Sequence, residues 1–204
     1  MNKDEVIEHY FYGKGQITDI RDQKIYVNFP DYGQRIFKNN ERAESYLSSN
    51  TNNREVILDE ATQPPYQTIC EALNAALGKN YKRIFKSYWV ISSSFALWFP
   101  KLVKIKNGKQ YPATNNFMNI LSDDCNVIEE IAVNEQSEEP INMSNEPTYR
   151  LVFTWDTNNT QTYIFHGVYT IVPEKSTKRR TIHKRVSTRG KLTGSPANSL
   201  EILN

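Results

Sequence analysis

Arg150-Leu151-Val152-Phe153-Thr154-Trp155 and Gln161-Thr162-Tyr163-Ile164-Phe165 decide the fold. Both runs are rich in β-branched and aromatic residues, and Asp156-Thr157-Asn158-Asn159-Thr160 between them is polar and turn-forming. The pair therefore reads as two arms of a β-hairpin, with Gly167-Val168-Tyr169-Thr170-Ile171-Val172 continuing the second arm. Strand signals extend to both sides: Tyr88-Trp89-Val90-Ile91, the apolar Phe95-Ala96-Leu97-Trp98-Phe99 stopped by Pro100, Leu102-Val103-Lys104-Ile105-Lys106 before an Asn107-Gly108 turn, and Asn126-Val127-Ile128-Glu129-Glu130-Ile131. Arg180-Thr181-Ile182-His183-Lys184-Arg185-Val186-Ser187 alternates, with Ile182 and His183 on opposite faces. Roughly six strands are expected, with one helix beginning near Tyr66 after Pro64-Pro65. Its Ile69, Leu73, Ala76 and Leu77 recur at spacings of three and four, and Gly78 is placed to end it. That stripe reads as core packed on a sheet, and Cys70 beside it as a small buried apolar residue.

Residues 9–38 read as a small meander of three strands. A short helix is expected over Asn40-Glu41-Arg42-Ala43-Glu44-Ser45-Tyr46-Leu47. Gly13-Lys14-Gly15-Gln16-Ile17, Ile25-Tyr26-Val27-Asn28-Phe29 and Gly33-Gln34-Arg35-Ile36-Phe37 resemble the SH3-like or Tudor-like barrels that accompany nucleic-acid-processing proteins. Ser48-Ser49-Asn50-Thr51-Asn52-Asn53 is polar and turn-rich. The expected organisation is an SH3-like barrel over 1–48, a linker over 49–63 and a larger, mostly β domain with one packing helix (α+β) over 64–204.

Composition narrows the function. Aromatic residues make up 12% of the 204 residues, too many for a disordered chain. No apolar run approaches the roughly 20 residues of a membrane helix, so no membrane partner is expected. The N-terminus carries Asp4 and Glu5 where a signal peptide would be basic and then apolar. Cys70 and Cys125 supply neither a disulfide framework nor a zinc quartet, and a cytoplasmic location is expected. Glycine-rich phosphate loops, dinucleotide fingerprints and nucleophile elbows are missing. His9, His166 and His183 have no Cys or acid at metal-ligand spacing and read as polar strand-end residues. No cofactor and no catalytic residue is expected.

Charge is distributed unevenly. The net charge is +2, yet Lys175, Lys178, Arg179, Arg180, Lys184, Arg185, Arg189 and Lys191 face only Glu174 in their segment. Eight acids between Asp123 and Glu146 meet no Lys or Arg; residues 134–147 are also rich in Asn, Ser and Pro and read as a mobile loop. A basic stretch set apart from an acidic one suits an anionic partner on one side. Lys178, Arg179, Arg180, Lys184 and Arg185 are the expected phosphate contacts, and Trp98, Trp155 and Tyr169 the rings expected to stack on a base. Such rings could hold a flipped or modified base.

Trp98-Phe99-Pro100-Lys101-Leu102, Asn119-Ile120-Leu121-Ser122-Asp123-Asp124 leading into Ile128-Glu129-Glu130, and Tyr163-x-Phe165-x-Gly167-Val168-Tyr169 followed by Lys184-Arg185-Val186-Ser187 resemble the PUA, EVE and SRA group of β-barrels. The resemblance implies a DNA reader, with DNA favoured over RNA, of modified cytosine in a restriction or defence setting. Such modules are usually fused to a catalytic domain, so a protein partner carrying the catalysis is implied. Two other readings stand beside it. One is a protein-interaction adaptor or inhibitor using the SH3-like barrel and acidic loop. The other is a metal-dependent nuclease using Asp123, Asp124 and Glu129 with hard oxygen ligands.

Overall fold

The computed structural model describes residues 1–9, 12–39, 47–48, 55–79, 81–82, 84, 86–114, 116–155, 161–194 and 197–204. An N-terminal antiparallel sheet contains β1 (Val6–His9), β2 (Gly13–Arg21), β3 (Lys24–Phe29), β4 (Gly33–Lys38) and β5 (Leu47–Ser48), in the order β4-β3-β2-β1-β5. Period-two alternation in β3 points Ile25, Val27 and Phe29 inward onto Ile7 and Ile17. Asp22 and Gln23 both take positive φ, which gives the tight connection from β2 to β3. Among the described residues no pairing joins β4 to β5, so the sheet is open there. Of the expected helix over 40–47, residues 40–46 lie outside the described residues. Leu47 belongs to β5, paired with His9.

The rest of the chain is built on a seven-stranded sheet. Its elements are β6 (Glu55–Asp59), α1 (Ile69–Leu77), β7 (Tyr88–Val90), β8 (Phe95–Trp98), β9 (Lys104–Lys106), β10 (Lys109–Tyr111), β11 (Phe117–Leu121), β12 (Val127–Ala132), β13 (Tyr149–Trp155), β14 (Tyr163–Ile171), β15 (Arg180–Ser187), β16 (Arg189–Gly194) and β17 (Ala197–Leu203). The large sheet runs β11-β12-β15-β14-β13-β8-β7, with β8 parallel to β13; β17-β16-β6 forms a second sheet and β9-β10 a separate ribbon. The β13-β14 hairpin sits inside the large sheet, although its 156–160 connection lies outside the described residues. β6 corrects the expected 49–63 linker: Glu55–Asp59 pairs along β16 from Thr193 to Arg189, burying Leu58.

The two faces of the large sheet differ. Phe95, Leu97, Leu151 and Phe153 point to one face, where Ala72, Leu73, Ala76 and Leu77 of α1 close the main apolar core. Helix α1 begins at Ile69, three residues beyond the expected Tyr66, which bridges Tyr163 instead; Thr68 caps it by accepting from the Glu71 amide at 3.1 Å, and Gly78 ends it as expected, at φ 67°. The alternate residues Trp98 and Val152, with Ile128 and Tyr169, form a smaller cluster on the opposite face. Polar groups gather on this second face.

Candidate nucleic-acid interface

Strand register carries the polar residues to one place. Tyr88 lies opposite Trp98, Trp98 opposite Val152, and Arg150 opposite Tyr169. Across the sheet, His183 lies opposite Ile128, and Glu130 sits between Asn119 and Thr181. Tyr88, Trp98, Asn119, Glu130, Arg150 and His183 line a cavity of about 760 Å³.

The Trp98 ring lies against His183, with centroids 4.4 Å apart and planes inclined by 37°. His183 is 3% exposed, and neither ring nitrogen has a hydrogen-bond partner among the described residues. Burial, with help from the Arg150 charge, lowers its pKa to about 3, so the imidazole is neutral near pH 7. A neutral imidazole offers one donor and one acceptor. Asn119 donates to the Lys101 carbonyl at 3.1 Å, while its Oδ1 is buried and unpartnered. Arg150 donates to Glu146 Oε2 at 2.6 Å and to the Pro147 carbonyl at 3.2 Å, and its guanidinium lies 5.7 Å from the Tyr88 ring centroid. Tyr88 donates to the same Glu146 oxygen at 3.1 Å, and burial pushes its hydroxyl up to about 12. Burial also drives Glu130 up to about 7; Arg150 draws it down and Glu146 raises it. Glu130 is therefore about half protonated near neutrality, and its protonated form can donate one hydrogen bond and accept another. An aromatic wall beside unmet donors and acceptors suits a flat, polar, heterocyclic ligand, because each buried polar atom left unpaired costs about 1–3 kcal/mol.

The expected stacking residues separate on this geometry. Trp98 and Trp155 line the cavity, and the Lys101 ammonium stands 5.9 Å from the Trp155 ring centroid. Tyr169 is corrected: it is fully buried and its hydroxyl donates to the Cys125 carbonyl, so it has no face open to a base. The expected phosphate contacts are largely engaged within the chain. Lys178 pairs with Glu139, Arg179 with Glu138 at 3.4 Å and Arg180 with Glu129 at 2.5 Å. Arg185 donates to both Glu60 oxygens at 2.9 and 2.8 Å. Lys184 is exposed. The acidic run is not set apart from the basic one: the amides of Lys178 and Arg179 donate to the carbonyls of Glu139 and Ser137, which seats residues 137–139 against 178–179.

The nuclease carboxylates do not converge. Asp124 accepts from Ser122 and Asn126 and closes a turn, held down at about 2 by those bonds. Glu129 and Glu130, adjacent on β12, point to opposite faces. The sequence reading also missed Glu60, Cys125 and His166, whose ligand atoms lie within 4.8 Å of one another. Arg185 already balances that carboxylate, and burial raises the Cys125 thiol, so the group reads as a charge-balanced junction between β6, β14 and β15.

A family model, SRA (SET and RING associated domain), matches residues 54–192. The chain belongs to the SRA family. SRA domains are DNA-binding modules, typically for methylated or modified bases. The SRA match contains every cavity residue named above and begins after the N-terminal sheet. No curated protein matches the chain.

Proposed function

We propose that this SRA chain is a non-catalytic DNA reader that receives a modified base, turned out of the duplex, in the cavity beside Trp98. The observation that carries this reading is the pair of orphaned buried polar groups in that cavity, both His183 ring nitrogens and Asn119 Oδ1, next to an aromatic wall. A base entering there stacks on Trp98 and gives those atoms partners, which offsets the cost of unstacking it from the duplex. Protonated Glu130 adds a donor and an acceptor on one carboxyl, complementary to the amino and ring-nitrogen edge of a cytosine. A restriction or defence setting, with catalysis supplied by a partner protein, accords with this reading: Asp124 is engaged in its own turn and Glu129 is paired with Arg180, and the cavity is arranged to bind.

The test is fluorescence-anisotropy titration of matched duplexes carrying cytosine, 5-methylcytosine or 5-hydroxymethylcytosine at one position. The wild type is expected to prefer a modified duplex at least about tenfold, a difference of ~1.4 kcal/mol. His183→Ala should abolish that preference while keeping its affinity for the plain duplex; the lost packing on Trp98 lowers stability somewhat, and retained plain-duplex binding shows that the variant is folded. Equal affinity for all three duplexes, or an unchanged preference in His183→Ala, would overturn the assignment of the cavity.

A further inference from the structure

We propose that the β9-β10 ribbon is the surface that grips the DNA backbone, in place of the basic strand β15; the proposal rests on the reading of the cavity as a base pocket. Strand β15 and the turn before it spend most of their charge inside the molecule, on Glu129, Glu138, Glu139 and Glu60. The ribbon is different. Lys104, Lys106 and Lys109 are exposed and make no ion pair among the described residues.

Register makes this charge one-sided. Lys106 pairs with Lys109 and Lys104 with Tyr111, so three ammonium groups and one aromatic ring share a face, with Ile105 and Gln110 on the other. Like charges directly opposite each other on a two-stranded ribbon are destabilising. Neither ribbon strand pairs with another strand among the described residues. A row of phosphates against that face removes the repulsion and releases counterions.

Position and size fit the same partner. Lys101, just before the ribbon, and Thr114 and Phe117, just after it, line the cavity, so the ribbon springs from the cavity rim. Asn107 and Gly108, at φ 52° and 72°, close it as a tight two-residue turn. Three residues per arm extend about 10 Å at ~3.3 Å per residue, and a two-stranded ribbon is admitted by a major groove about 12 Å wide. Duplex DNA lying along the ribbon would present a base to the cavity at its foot.

The experiment compares wild type, Lys104→Ala/Lys106→Ala/Lys109→Ala and His183→Ala by anisotropy, on plain and modified duplexes between about 50 and 200 mM salt. The triple variant should bind both duplexes at least about tenfold more weakly, with a salt slope shallower by about 2–3 at ~0.9 per phosphate contact. Its preference for the modified duplex should stay unchanged, while His183→Ala loses that preference and keeps its slope. If the wild type binds with a steep slope and the triple variant matches it, the ribbon proposal is overturned and the cavity reading stands. A slope lost in Lys178→Ala/Arg179→Ala, with the ribbon variant unaffected, overturns it in favour of the turn before β15. A wild type that binds neither duplex at the lower salt overturns the ribbon and the cavity reading together.

Discussion

Glu130 is the residue whose environment departs furthest from what its neighbours in sequence suggest. A carboxyl held near 7 in the folded chain, against 4.5 ordinarily, keeps its proton over a range in which the unfolded chain has lost it. The folded state therefore binds more protons than the unfolded state between about pH 4.5 and 7, and Glu130 withdraws stability as pH rises through that window. His9 and His183, lowered to about 4 and about 3 by burial, act in the opposite direction as pH rises through their windows toward 6.5. The contribution of Glu130 is therefore isolated by difference. Urea midpoints for Glu130→Gln minus wild type should be smaller at pH 5 than at pH 7.5, with the variant gaining on the wild type as pH rises. A constant difference would mean that the carboxyl ionises normally. Part of this was open in the sequence: in Val127-Ile128-Glu129-Glu130-Ile131, period two forces one of two adjacent acids onto the face of Ile128. Which acid is buried, and that Arg150 and Glu146 act on it, depends on strands far apart in sequence. His183 likewise read as a strand-end polar residue, yet it lies inside β15 under Trp98.

Elements with a strong local period were legible. The Ile69-Leu73-Ala76-Leu77 stripe, Gly78 and the Asn107-Gly108 turn stand where the sequence puts them, because each is fixed by its own residues. Strands β6, β16 and β17 were missed for the converse reason. Glu55–Asp59 is short and follows a polar stretch, and four of the six residues of β16 are glycine or cation. β6 and β16 become strands by pairing with each other across more than a hundred residues, and β17 then adds to β16 as its sequence neighbour. Two changes separate local from tertiary control. Thr68→Ala removes the helix cap and should lower stability by about 1 kcal/mol. Gly167 sits at φ 115°, and a Cβ there would come within 2.2 Å of the Ser187 carbonyl oxygen, backbone that cannot swing away. Gly167→Ala should therefore cost more than about 2 kcal/mol by breaking the β14-β15 junction. Chemical denaturation of both variants checks the order; a Gly167→Ala cost no larger than that of Thr68→Ala would mean that the junction yields easily.

Across the whole molecule, a net charge of +2 conceals an internal neutralisation. The acidic segment near 135–139 reads in sequence as a separate mobile loop, yet its Glu138 and Glu139 pair with the cations that look most like a phosphate-binding strand. Those pairs are exposed, so each contributes only about 0–1 kcal/mol to stability. Their larger effect is on the surface field: they leave the ribbon lysines as the local positive face beside the cavity mouth. Removing the acids should reverse that allocation. Glu129→Gln/Glu138→Gln/Glu139→Gln frees Lys178, Arg179 and Arg180, and should tighten binding to plain duplex while steepening its salt slope by up to about 3. Binding to the modified duplex should tighten by a similar factor, so the preference between the two falls little, because the added contacts reach phosphates and read no base. Anisotropy at several salt concentrations measures both quantities. Unchanged affinity and slope in the triple glutamine variant would place residues 178–180 out of reach of the duplex even when their cations are released, and would leave the ribbon as the basic contact that the duplex uses.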